Sequence, residues 1–121
     1  MTLRSVDVSG LKPPSRGVRA SAWGELPVLD YVALSELVFD PAYQRPIERR
    51  GRANIEAIAA GFDWGRFSPI VVSRRADGTL AVIDGQHRAH AAALLGLTQV
   101  PAMIVSLSLQ DEARAFAQIN G

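Results

Sequence analysis

The sequence predicts an α+β domain, a small mixed sheet with helices packed on it. Three observations carry that reading. Runs rich in β-branched residues at 27–34, 69–75, 79–83 and 100–105 alternate with stretches whose apolar residues recur at helical spacing. Ala76-Asp77-Gly78 joins the two middle runs as a hairpin turn. The resulting order of strand, helix, hairpin, helix, strand, helix suits one sheet with helices against it.

Taken in order, residues 1–24 read as a leader ahead of a domain over 25–121, because Pro13-Pro14 and three glycines interrupt any apolar period. The leader is basic: Arg4, Lys12, Arg16 and Arg19 stand against Asp7 alone, whereas the body has nine arginines against eleven acids. Val28, Tyr31 and Val32 favour a first strand, and Asp40-Pro41 marks a loop after Phe39. Pro46 is placed to begin a helix over 46–60, with Ile55, Ile58 and Ala59 on its inner face and Gly61 as its stop. An aromatic connection, Phe62-Asp-Trp-Gly-Arg-Phe67, leads to the hairpin. Asp84-Gly85 closes the hairpin and opens an alanine-rich helix to about Leu95, which Gly96 caps. A strand over 100–105 follows. Ser108 then starts a last helix through about Ile119, with Leu109, Ala113, Phe116 and Ala117 as its apolar face. That helix stops where the chain stops, so the chain is expected to be the opening domain of a longer protein.

Composition excludes several classes. Hydrophobic residues are 48% and charged residues 21% of the 121, ordinary for a globular chain. With no cysteine, disulfide scaffolds, thiolate metal sites and thiol nucleophiles fall together. No apolar run approaches the roughly 20 residues of a membrane span, and the start lacks a signal peptide's apolar core. The expected location is cytoplasmic, with no membrane partner.

The most informative stretch is Asp84-Gly85-Gln86-His87-Arg88, a strand end, a glycine turn and a helix start. First-turn N–H groups lack internal partners, the helix dipole favours an anion, and Gly85 permits close backbone approach. A cation such as Arg88 works against that dipole, so a bound anion explains it better than local stability does. The alternative is Asp84 capping the helix, with His87 and Arg88 in solvent.

These residues resemble the ParB/sulfiredoxin superfamily, in which this strand–turn–helix binds nucleotide phosphates. ParB-type members carry Gly-Glu-Arg-Arg here and sulfiredoxins Gly-Gly-Cys-His-Arg; Asp84-Gly85-Gln86-His87-Arg88 aligns with the second without a gap. Upstream, Asp40-Pro41-Ala42-Tyr43-Gln44-Arg45 resembles the Asn-Pro-x-Gln-Pro-Arg segment of ParB proteins. The match runs over about residues 26–120. Gln86 stands where sulfiredoxins have their cysteine, so sulfiredoxin activity is excluded. The helix-turn-helix that follows this domain in ParB proteins has no room in the chain.

The resemblance implies binding of a nucleoside triphosphate, CTP or ATP, in a DNA-associated partition, phage or mobile-element protein, with self-association left open. Gly85, Gln86, His87 and Arg88 would cradle the phosphates, and Arg45 would close from the opposite loop; its alternative is a salt bridge to Asp84 or Glu48. Asp84 could hold Mg²⁺, act as a base or cap the helix. The rival is an enzyme of the same fold: an NTPase, a phosphotransferase using Asp84, or a nuclease with a metal on Asp84, His87 and His90. A third reading is a degenerate interaction module. Arg49, Arg50 and Arg52, with Arg74-Arg75 beside them, are candidates for nucleic-acid backbone contacts or form a solvated face. Phe62, Trp64 and Phe67 either cover the core, the favoured reading, or stack on a base.

Overall fold

The computed structural model describes residues 2–15 and 23–120, so Arg16 and Arg19 of the basic leader lie outside the described residues. Residues 2–15 contain no helix or strand. From Val28 onward five strands form one mixed sheet: β1 (Val28–Ala33), β2 (Leu37–Val38), β3 (Ile70–Arg74), β4 (Leu80–Asp84) and β5 (Gln99–Val105). The helices are α1 (Arg49–Ala60), α2 (Gln86–Leu94) and α3 (Leu109–Asn120).

The spatial order is β1-β5-β3-β4-β2. β1 runs antiparallel to β5, pairing Val28 with Ile104 and Ala33 with Gln99. β5 runs parallel to β3, β3 antiparallel to β4, and β4 parallel to β2. The hairpin forms as its turn chemistry predicts: Arg75 N–H donates to Thr79 O, and Gly78 takes a φ of 88° that other residues resist.

Val32, Ile70, Val72, Leu80, Val82, Val100, Ala102 and Ile104 make the core on one sheet face, with Ala92 of α2 against them. β4 is apolar at four successive positions because both its faces are covered, the second by α3. Gly96, at φ 81°, ends α2 with two reverse bonds, Gly96 N–H to Ala93 O and Leu97 N–H to Ala92 O. Ser108 Oγ accepts the Asp111 N–H, the cap expected for α3.

Two expectations need correction, and one strand escaped the sequence pattern. α1 begins at Arg49, not Pro46: Glu48 is extended, at φ −112° and ψ −168°, and stands as the N-cap. β2 has only two residues, too few to show alternation. The inner face of α3 is not Leu109, Ala113 and Ala117; these are exposed, Leu109 by 65%. Phe116 turns inward as expected, joined by Ala115 and by Glu112, which is completely buried. The reason is a set of polar partners that apolar periodicity cannot display. Arg75 and Tyr43 both reach the Glu112 carboxylate.

Candidate functional site at the start of α2

β4 ends at Asp84, Gly85 turns the chain and α2 starts at Gln86. Gly85 is the N-cap at φ 113°, where a side chain is strained. Space forbids one as well: an added Cβ would collide with the Ile70 side chain. The backbone therefore lies tightly on β3. The first-turn N–H groups of Gln86, His87 and Arg88 have no intrahelical acceptor.

These groups open into a cavity of about 280 Å³. Asp84, Gly85, Gln86, His87 and Arg88 form one wall; Gln44, Asn54, Ile58 and Asn120 contribute from elsewhere in the chain. The side-chain partner of Asp84 is Arg88, not a first-turn N–H. Its Oδ2 lies 3.5 Å from Arg88 Nη2, so the capping alternative gives way to an ion pair from the end of β4 to the first turn of α2.

Arg88 also donates from Nε to Ser68 O (2.9 Å) and from Nη2 to Pro69 O (3.2 Å). Local structure thus gives this cation acceptors of its own. An anion is not needed to explain its presence, contrary to the expectation from the dipole alone. Nη1 has no partner among the described residues. His87 is half-buried rather than in solvent, and Asn54 Nδ2 sits 2.7 Å from its Nδ1. Gly51 lets the imidazole pack against α1, since a Cβ there would come within 3.2 Å of Nε2.

The loop before α1 meets this wall through amides. Gln44 Nε2 donates to Gln86 Oε1 (2.6 Å), and Gln86 Nε2 donates to Arg45 O (3.2 Å). The Arg45 side chain is exposed and is not one of the cavity walls; Gln44 takes that place. Neither the Arg45–Asp84 nor the Arg45–Glu48 salt bridge forms. At the far side, Asn120 Nδ2 donates to Ile83 O (2.9 Å), tying the end of α3 to β4.

Asp84, His87 and His90 do not converge. His90 Nδ1 lies 2.6 Å from Gln86 O and its ring packs on Phe39 at 5.0 Å. Among the described residues no three His, Asp or Glu side chains are grouped to hold a metal. Arg49, Arg50 and Arg52 are exposed at the start of α1, where no acid occupies the first turn. Arg75, by contrast, is not available to nucleic acid. It is paired with Asp40 (2.7 Å) and Glu112 (2.8 Å), while its neighbour Arg74 is exposed.

Phe62, Trp64 and Phe67 cluster with ring centroids 4.9–5.6 Å apart. Phe67 packs on the core, but Trp64 is 52% exposed, so the core reading holds for one end of the cluster only. Phe62, Phe67, Asp63 and Arg66 line a second cavity of about 520 Å³, which adjoins the first through Ile58 and Arg88.

Sequence reasoning missed Gln44, Asn54 and Asn120 as cavity residues. Gln44 lies inside the Asp40–Arg45 motif, which was a usable signal; single asparagines on helices carry none.

Known proteins share this fold. The profile of the ParB N-terminal domain matches residues 26–120. The probable plasmid-partitioning protein ParB of Thermus thermophilus is 39% identical over 73 residues, covering 60% of this chain and 24% of that protein. The C-terminally truncated chromosome-partitioning protein ParB from Caulobacter crescentus, complexed with CTP-gamma-S, gives a TM-score of 0.62 at 23% identity, over 77% of this chain and 52% of that one. Complexed to the centromeric parS site, it gives 0.60 at 22%, over 75% and 46%. A free serine kinase in complex with AMP gives 0.50 at 16%, over 68% and 32%. The chain thus spans 24% of the length of the Thermus relative and 52% of the Caulobacter chain with CTP-gamma-S.

Proposed function

The chain belongs to the ParB N-terminal domain family, and on that footing we propose that it binds a nucleoside triphosphate, CTP or ATP, at the start of α2. The observation that carries the proposal is the Gly85 turn, which fits only glycine and sets three unpartnered N–H groups at the wall of a polar cavity. Gln86, His87 and Arg88 take the phosphates, with Arg45 closing from the exposed rim. The adjoining cavity, with Phe62, Phe67 and Arg66, suits the base and sugar. The complex of the Caulobacter relative with CTP-gamma-S favours cytidine.

Mg²⁺ fits this donor set. Asp84 offers a carboxylate oxygen at the wall, and magnesium takes one or two carboxylates together with phosphate oxygens. When bound, it would neutralise phosphate charge beside Arg88. DNA is the proposed second partner, contacted through its backbone by Arg49, Arg50 and Arg52 and therefore salt-sensitive. The partition proteins among the relatives support a DNA-associated role. The kinase of similar fold keeps a second reading in play, in which Asp84 would accept the proton of an attacking substrate hydroxyl as the γ-phosphoryl group passes to it and the nucleoside diphosphate leaves.

Calorimetry with CTP, ATP, GTP and UTP, with and without Mg²⁺, tests the reading. Saturable binding of CTP or ATP supports it. A folded chain that binds none of the four refutes it. Product analysis after incubation separates a binding switch from a phosphotransferase.

A further inference from the structure

We infer that the ion pair between Arg75 and the buried Glu112 positions the nucleotide site, holding the loop of residues 40–45 so that Gln44 and Arg45 stand at the start of α2. The inference rests on the nucleotide reading above. None of Asp40, Tyr43, Arg75 and Glu112 lines the cavity, so whatever they contribute passes through the loop.

The contacts form one chain. Glu112, fully buried on α3, receives Arg75 Nη2 at 2.8 Å and the Tyr43 hydroxyl at 3.0 Å. The same Arg75 nitrogen reaches Asp40 Oδ2 at 2.7 Å. Asp40 in turn accepts the Ala42 N–H on its side chain and the Tyr43 and Gln44 N–H groups on its carbonyl. The first half of the loop is thus fastened at Asp40 and at Tyr43. The next residue, Gln44, bonds Gln86, and Gln86 bonds the Arg45 carbonyl. With one peptide link between the anchored tyrosine and the site glutamine, a shift of the anchor moves the site.

Stability alone is a weak reason for this arrangement. An ion pair with one buried partner often contributes no more than well-packed apolar side chains of similar volume. Tyr43 already packs on Phe116 at 5.2 Å, so an apolar staple was within reach. What charge and hydroxyl add is direction. Arg75 has a planar fork and Glu112 two fixed oxygens, and together they admit one placement of the loop.

The test uses the full chain with Glu112→Gln, which keeps shape and drops charge, and Tyr43→Phe, which keeps the ring and drops one bond. Circular dichroism confirms folding. Amide exchange at Tyr43 and Gln44 is expected to quicken about tenfold. Affinity for the tighter-binding of CTP and ATP is expected to fall about fivefold. In a Gln44→Ala/Arg45→Ala background the same two changes should cost less than about twofold, because the groups they position are gone. A purely structural pair would give equal losses in both backgrounds. That result, or unchanged loop exchange, overturns the inference. Should the wild-type chain bind no nucleotide, the reading of the site falls first and takes the positioning role with it.

Discussion

The two walls of the cavity are held by opposite means. The α2 wall is local: Gly85, the following three residues and the Ile70 side chain beneath them fix the turn within one hairpin and one helix start. The loop wall is fastened from far away, through Tyr43, Arg75 and Glu112, which lie 32–69 residues apart in sequence. The first wall is rigid by steric exclusion, the second by polar contacts that can be broken one at a time. A substitution at Gly85 should therefore act on the whole fold, whereas those in the second wall act on the placement of the loop as well as on stability.

The largest effect is expected at Gly85. Gly85→Ala forces a side chain into a left-handed conformation and onto Ile70, at a cost of about 2–4 kcal/mol in urea unfolding. A loss below about 1 kcal/mol would mean that the turn is not the rigid wall. Arg75→Met comes next, leaving Glu112 buried without its cation, for about 2–3 kcal/mol. Adding Glu112→Leu should recover part of that loss. A double variant worse than the single would show that apolar packing cannot replace the pair.

The loop wall also has a pH signature. Burial and the hydrogen bond to Glu112 push the Tyr43 hydroxyl from 10.0 up to about 12. The folded state then holds its proton more tightly than the unfolded state, so this contribution is complete below pH 10 and is lost as pH rises to about 12. Tyr43→Phe should flatten the fall in stability over that window, measured by thermal unfolding at stepped pH. Asp40 has the opposite sign: the Ala42 N–H and Arg75 hold it below 3.8, so its contribution is present above that value and fades as acid protonates it. The smallest effect is expected from Asn54→Ala, which frees the His87 ring without unfolding anything. Nucleotide affinity should weaken about threefold, with stability unchanged within about 0.5 kcal/mol.

The same contrast explains what the sequence made legible. The hairpin, the α2 caps and the α3 cap depend on residues close in the chain, and Gly78, Gly85, Gly96 and Ser108 announce them. Glu112 reads as a surface acid in the first turn of an amphipathic helix; only the fold brings Arg75 and Tyr43 to it. Arg75 likewise reads as one of two hairpin cations open to DNA. The sequence sets Arg45 opposite the start of α2, yet Gln44 is the loop side chain that lines the cavity there, because a motif locates a loop more readily than the direction of each side chain. Asn120 enters the cavity through the docking of α3 on β4, which no local pattern encodes.

The central claim is that nucleotide phosphates sit on the first turn of α2. Amide chemical shifts, recorded while CTP and then ATP are titrated with Mg²⁺ into the full chain, test it most directly. The account predicts saturable shifts largest at Gly85, Gln86, His87 and Arg88, with smaller ones at Gln44. Shifts centred elsewhere, or none at millimolar nucleotide, would contradict it.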